Sequence, residues 1–189
     1  MTVLTVILNW RSAEMTLRAA EAALHAMEGI AGALVIVDNE SGDGSFEAMA
    51  AAVRLRGWDT GPHQVRVLQA GWNGGFGAGN NVGIRAGLPD GSRPDYIYVL
   101  NPDAFPEAGV AGSSIFGEED TPHHTAFCFP SVASEFEGQV RFGPVSRLLR
   151  RWIVAQPMPQ ATCRVDWLAG ASLMMRQSVL DRIGLFDES

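Results

Sequence analysis

The chain has 189 residues with 14 basic side chains, every one an arginine, against 21 Asp and Glu, for a formal net charge of −7. The absence of lysine excludes a Schiff-base enzyme, a P-loop phosphate lysine and the strand lysine of a protein kinase, and the acidic balance offers nucleic acid no general field. A single domain over 1–189 is the expectation for this length. With no run approaching the roughly 20 apolar residues of a membrane span and no N-terminal targeting pattern, the chain reads as cytosolic. Cys128 and Cys163 lack metal-ligand spacing and read as buried thiols.

In chain order, Val3 to Leu8 is a β-branched apolar run that predicts a strand. Ser12 then precedes a helical face of Leu17, Ala20, Leu24 and Met27, ended by Gly29. Ala33 to Val37 predicts a second strand, and after a turn-rich stretch a helix is expected to start near Ser45 with Phe46, Met49 and Val53 inward. Val65 to Leu68 and Tyr96 to Leu100 predict two further strands, with a helix from Asn80 to Leu88 between them. This alternation implies an α/β fold, a Rossmann-like and mostly parallel sheet with helices on both faces.

Beyond Pro106 the pattern loosens into a short mixed C-terminal part. Gly109 to Asp120 is ambiguous, Phe127 to Pro130 suits a strand, and Glu137-Gly138 suits a hairpin turn before Val140 to Phe142. Arg147 to Arg164 is the expected mobile loop. Val165 to Leu168 and Ala171 to Met175 suit strands, and Ser178 to Ile183 a helix stopped by Gly184.

An open parallel sheet binds ligands beyond the carboxyl ends of its strands, so the residues that follow each strand are the informative ones. Here they are polar: Asn9-Trp10-Arg11, then Asp38-Asn39-Glu40-Ser41, then Gly71 to Asn81 with its many glycines, then Asn101-Pro102-Asp103. Each cluster alone reads equally as a turn or a cap. On one rim they gain a chemistry. The Asp38 carboxylate can accept a pyrimidine imide N–H, glycines let backbone approach a phosphate, and Asp103 can share a hard divalent cation with a diphosphate. The glycine spacing lacks the dinucleotide fingerprint, because Asn80 stands where its last glycine belongs.

The ordered set Val6-Ile-Leu-Asn-Trp10, Val35-Ile-Val-Asp-Asn-Glu-Ser41 with Asp43-Gly-Ser45, Asn73-Gly-Gly-Phe76 with Gly79-Asn-Asn81, and Leu100-Asn-Pro-Asp103 resembles the family 2 glycosyltransferases, in particular their rhamnosyltransferase-like branch. Val165-Asp-Trp167, Gly170-Ala171, Arg176 and Ile183-Gly-Leu-Phe-Asp-Glu188 extend the resemblance over nearly the whole chain. It implies a GT-A fold and an inverting transfer of a sugar from a UDP- or dTDP-linked donor, with Mg²⁺ or Mn²⁺. The acceptor would be a hydroxyl of a saccharide or lipid-linked saccharide, as in bacterial cell-surface polysaccharide synthesis.

Residue by residue, the resemblance implies that Asn9, Asp38, Asn39 and Ser41 meet the nucleoside. Asn73, Gly74, Asn80 and Asn101 line the donor and Asp103 binds the metal. Trp167, Gly170, Ala171 and Asp187 lie on the acceptor side. Residues 1–104 would form the donor-binding half and 105–189 an incomplete acceptor-side half. The family's Glu-Asp pair, whose aspartate is the expected general base, would fall beyond Ser189, so no catalytic residue is assigned. A donor-binding module without transfer activity is the alternative, and a sugar nucleotidyltransferase a more remote one, since a triphosphate calls for more basic groups than Arg11.

The family pattern usually carries an asparagine where Arg11 stands. This cation would contact phosphate, pair with a neighbour such as Glu14, or be solvated, the last being the default. Arg147, Arg150 and Arg151, interleaved with Leu148, Leu149, Trp152 and Ile153, suit either peripheral contact with an anionic membrane at its inner face or core packing. His123-His124 beside Glu118-Glu119-Asp120 reads as a solvated loop rather than a metal site, and His25 and His63 as surface residues.

Overall fold

The computed structural model describes residues 1–103 and 172–188, together with 115–116, 122–123, 126–127, 131, 154 and 167–168. The chain divides into two compact units, one of Met1–Gly112 with Ala171–Ser189 and the other of Ser113–Gly170.

The first unit is built on a five-stranded sheet in which Val65–Gln69, Ala31–Asp38, Thr2–Asn9, Tyr96–Leu100 and Ser172–Arg176 lie side by side in that order. Its strands are β1 (Thr2–Asn9), β2 (Ala31–Asp38), β3 (Val65–Gln69), β4 (Tyr96–Leu100) and β9 (Ser172–Arg176). The first four run parallel, and β9 runs antiparallel to β4, covering what would otherwise be an open edge. Helices α1 (Ala13–Ala26), α2 (Ser45–Leu55), α3 (Gly75–Ala86) and α4 (Gln177–Ile183) complete the unit.

Strand period assigns the side chains. Ile7, Leu34, Ile36, Val65 and Leu100 bury with Ala19, Ala20 and Ala23 of α1 and Met49 and Val53 of α2. Leu4, Val6, Val35, Val37, Ile97 and Val99 bury on the opposite face with Ile84 of α3 and Leu180 of α4. Helices thus cover both faces, which is why the central strands read as unbroken apolar runs rather than as alternations. Each large aliphatic side chain enclosed here contributes about 1.5–3 kcal/mol relative to exposure.

Most expected elements lie where the sequence puts them, with two differences in detail. β1 and β2 extend to include Asn9 and Asp38, so these polar residues end the strands rather than follow them. α2 begins at Ser45 as expected but buries Ser45, Met49 and Val53, leaving Phe46 only half-buried.

The larger correction concerns α3, which starts at Gly75 and ends at Ala86 instead of running from Asn80 to Leu88. Most of the glycine-rich stretch is therefore helix, against its propensity, because its glycines admit the sheet. A Cβ at Gly79 would fall 2.3 Å from Leu8 Cδ1, and one at Gly83 would fall 2.4 Å from Val6 Cγ1 and 3.1 Å from Val37 Cγ2. Arg66, from β3, donates to the carbonyls of Ala86 and Gly87 and so holds the far end of the same helix.

In the second unit the described residues form two short antiparallel pairs, β5 (Ile115–Phe116) with β6 (Pro122–His123) and β7 (Ala126–Phe127) with β8 (Trp167–Leu168). The expected hairpin at Glu137-Gly138, the strand at Val140 to Phe142 and the arginine cluster lie outside the described residues, as does the loop Arg147 to Arg164 apart from Val154. Cys128, Cys163, His124 and Glu118 to Asp120 lie outside them too. His25 is exposed beside Glu28, whereas His63 is half-buried with Nδ1 enclosed, against the expectation of a plain surface residue. No helix among the described residues is long and apolar enough to cross a membrane.

Candidate functional site at the carboxyl ends of the strands

Register brings three polar residues into one row, because Asn9 pairs with Asp38 and Asp38 with Gln69 across β1, β2 and β3. All three continue the strand parity that points toward α1 and α2. Asp38, 1% exposed, is the hub. Its Oδ1 accepts from Asn9 Nδ2 at 2.7 Å and from Ser41 Oγ at 2.6 Å. Its Oδ2 accepts from the Ser41 N–H at 3.1 Å and from Gln69 Nε2 at 3.3 Å.

Asn9, 0% exposed, is committed to the protein on both sides of its amide. Nδ2 also reaches Ser41 Oγ, and Oδ1 accepts from Thr16 Oγ1 at 2.8 Å and from the N–H and Oγ of Ser12, both at 3.3 Å. The Asn9 side chain therefore positions Asp38 and the first turn of α1 rather than presenting a free group to a ligand. Ser41 plays a similar part, since its hydroxyl also accepts the Arg11 N–H at 2.9 Å.

Asn39 points to the other face of the sheet. Its Nδ2 donates to Asn73 Oδ1 at 3.0 Å and to Gly75 O at 3.4 Å, and Asn73 Oδ1 also accepts the Gly75 N–H at 3.1 Å. Asn80 Nδ2 donates to Phe76 O at 2.9 Å. Because a carbonyl only accepts, these bonds fix which end of each amide is which. Asn39 Oδ1 and Asn80 Oδ1 are then enclosed acceptors without a partner, on residues 4% and 0% exposed. Such an atom costs about 1–3 kcal/mol until a donor reaches it. An ideal Cβ on Gly79 would lie 3.1 Å from Asn39 Oδ1, so the first of these acceptors is directed at the backbone of α3 beside Asn80.

Gly74 caps α3, and a side chain there would strike the Trp72 ring at 2.6 Å and Ala78 Cβ at 2.5 Å. Past β4, Asn101 is half-buried and Asp103 exposed. Oxygen donors of this kind, one carboxylate with a neighbouring amide, suit Mg²⁺ or Mn²⁺ only where other ligands complete the shell. Among the described residues no three His, Cys, Asp or Glu side chains gather into a metal site.

Of the acceptor-side residues, Asp187 lies against α3, its carbonyl 2.5 Å from an ideal Cβ on Gly77. Trp167 belongs to β8, and Gly170 and Ala171 lie outside the described residues. Sequence reasoning passed over Gln69 and gave Asn81, though it lies within the quoted motif, no role of its own. Gln69 could have been found from the shared ending of β1, β2 and β3, each an apolar run closed by one polar residue, whereas no local signal marks the partners of Asn81. That amide donates to Phe186 O and Glu188 Oε1, both at 2.8 Å, and accepts the Phe186 N–H at 3.0 Å.

The sequence matches no protein-family profile and no curated protein. Among solved structures the fold is similar to the mannosyltransferase PcManGT from Pyrobaculum calidifontis, in complex with GDP-Man and Mn²⁺. The identity is 14% and the TM-score 0.54, over 99% of this chain and 48% of that one. TarS 1-349 of S. aureus, in complex with UDP and with UDP-GlcNAc, is similar over 55% of this chain at 17% and 16% identity, with TM-scores of 0.41 and 0.40. At such identity the likeness to the mannosyltransferase establishes the fold alone: a GT-A-type α/β fold, with a mostly parallel sheet flanked by helices. This chain spans about half the length of that neighbour, 48%.

Proposed function

We propose that the chain binds a nucleotide diphosphate sugar at the rim formed by Asp38, Asn39, Asn73, Asn80 and Asn101, and serves an inverting glycosyl transfer to a hydroxyl acceptor. The observation that carries this reading is the convergence of polar side chains at the carboxyl ends of a parallel sheet, with the Asp38 hub on one face and the Asn39–Asn73 pair on the other. The hydroxyl and N–H groups of a nucleotide sugar are donors that suit a rim of carboxylate and amide oxygens. An N–H of the base would reach Asp38 Oδ2 by replacing Gln69 Nε2, the longest of the four bonds to that carboxylate and the one that comes from an exposed side chain.

Asp103, with Asn101 nearby, would hold a divalent cation together with the diphosphate, and such a cation, when bound, supplies charge stabilisation to the leaving group. The chain's own residues bind and orient the donor; Gly74 and the N-terminus of α3 present backbone to it. The motif resemblance supports a finer reading, in which the sugar is rhamnose or a related hexose and the acceptor belongs to a bacterial surface polysaccharide. Cytoplasmic placement, with peripheral contact at the inner face of the membrane, goes with that pathway.

The test is calorimetric titration with UDP, dTDP and GDP, each with Mn²⁺ and with EDTA, on the chain and on Asp38→Ala and Asp103→Ala. The expected result is binding of a pyrimidine diphosphate that needs Mn²⁺ and is lost in both variants. No binding by any of the three nucleotides would overturn the reading. Donor binding without transfer to any hydroxyl acceptor would favour the catalytically silent module.

A further inference from the structure

Arg11 is the cation of this rim. Among the described residues at and just beyond the carboxyl ends of the parallel strands it is the one cation, against Asp38, Glu40, Asp43 and Asp103. A dianion arriving there meets four carboxylates, so its affinity depends on what opposes them.

The backbone of Arg11 is held in a conformation that side chains avoid. Its φ is 53°, and it shares positive φ with one other non-glycine residue among those described, Glu40 at 56°. Both flank the Asp38 hub. Residues forced into the left-handed region concentrate where a side chain must be aimed. Ser41 imposes the conformation at both ends of the residue, its Oγ accepting the Arg11 N–H at 2.9 Å and its carbonyl accepting Arg11 Nε at 3.1 Å. The Trp10 ring lies under the guanidinium carbon at 5.1 Å.

With Nε and one face so occupied, Nη1 and Nη2 make no hydrogen bond or ion pair with the described residues, on a side chain that is exposed. The nearby Asp43 carboxylate does not claim them. It accepts the Ser45 N–H at 3.0 Å, and it sits below the ordinary carboxylate range through Ser45 first, with Arg11 the least of the causes. A planar pair of unclaimed N–H donors on a fixed arginine is the usual recognition element for phosphate oxygens. Its place in the topology fits, since strand order reverses at β1: Arg11 follows β1 and Asp103 follows β4, on the two sides of the switch-point crevice.

We propose that Arg11 is an anion-binding residue that takes the diphosphate of the nucleotide sugar, opposite the Asp103 side of the crevice. The inference rests on the donor-site reading above and departs from the solvated role expected from sequence and from the neutral residue of the resembled pattern.

The experiment compares UDP with uridine, each titrated in the presence of Mn²⁺ at two salt concentrations, on the chain and on Arg11→Gln and Arg11→Gly. The glycine variant relieves the backbone, so a fold defect cannot mimic the loss of charge. Both variants are expected to weaken UDP about tenfold, to leave uridine unchanged and to flatten the salt dependence of UDP binding. Unchanged UDP affinity in either variant overturns the inference while leaving the donor site standing. An equal loss for uridine and UDP also overturns it, by assigning Arg11 to the nucleoside. Where the unaltered chain takes dTDP instead, dTDP and thymidine replace the pair; failure to bind UDP, dTDP and GDP alike overturns the donor-site reading and this inference together.

Discussion

Asp38 shows how one carboxylate can be structural and functional at once. Three of its four hydrogen bonds come from groups that are buried or belong to Ser41, and they lock the ends of β1 and β2; the fourth, from exposed Gln69, is the replaceable one. Asp38→Asn turns an acceptor into a donor that faces donors, and about 2 kcal/mol of stability should be lost, read as a lower urea midpoint at unchanged slope. Gln69→Ala removes only the exposed, long bond and should cost under about 0.5 kcal/mol. Equal losses in the two variants would show that the carboxylate is not the hub the geometry makes it. The polar identity of Asn9, Asp38 and Asn101 is legible locally, because each closes an apolar run. The direction in which each amide faces is not.

At the scale of elements, α3 is the instructive case. Read by propensity, Gly71 to Asn81 is a loop; in the fold, everything from Gly75 onward is helix because Gly79 and Gly83 let the helix axis approach β1 more closely than any side chain would allow. Gly83→Ala would drive a methyl against Val6 and Val37, whose own positions are fixed within the sheet, and should destabilise by about 1–3 kcal/mol. Gly61→Ala, whose nearest neighbour would stand at 3.5 Å, serves as the control and should be near neutral in thermal melts. A neutral Gly83→Ala would mean that the helix can slide away from the sheet. The glycines thus act on the site indirectly, by seating Asn80 and the cap at Gly74 against the end of β2.

On the scale of the molecule, the first unit is closed by contacts between residues far apart in sequence. Asn81 and Arg85 hold Glu188, with Oε1 accepting from each at 2.8 Å. Asp95 accepts the Thr2 N–H at 2.7 Å. The Glu188 carboxyl is held below its ordinary value of 4.5, first by the Asn81 hydrogen bond and then by Arg85. A lowered folded value means that this docking is complete above pH 4.5 and is released as the pH falls through the lowered value. Hydrogen exchange at the Phe186 amide, whose N–H donates to Asn81, should therefore accelerate beyond its intrinsic pH trend only below that range. Glu188→Gln should abolish the step, and a step that survives the substitution would place the titrating group elsewhere.

By itself the sequence determined the strand-helix alternation, the parallel sheet and the polar character of its carboxyl rim. Those follow from period and from runs of apolar residues, which are local properties covered on both faces. Tertiary structure alone decided that Asp38 and Asn39 face opposite sides of the sheet, that the glycine run is helical, and that Arg11 is aimed by Ser41. It also decided that Asn81 reaches across 105 residues to Phe186. The physical reason is the same in each: a hydrogen-bond partner or a close packing surface contributed from a distant stretch of chain overrides the local preference, and no window of sequence contains both halves of such a contact.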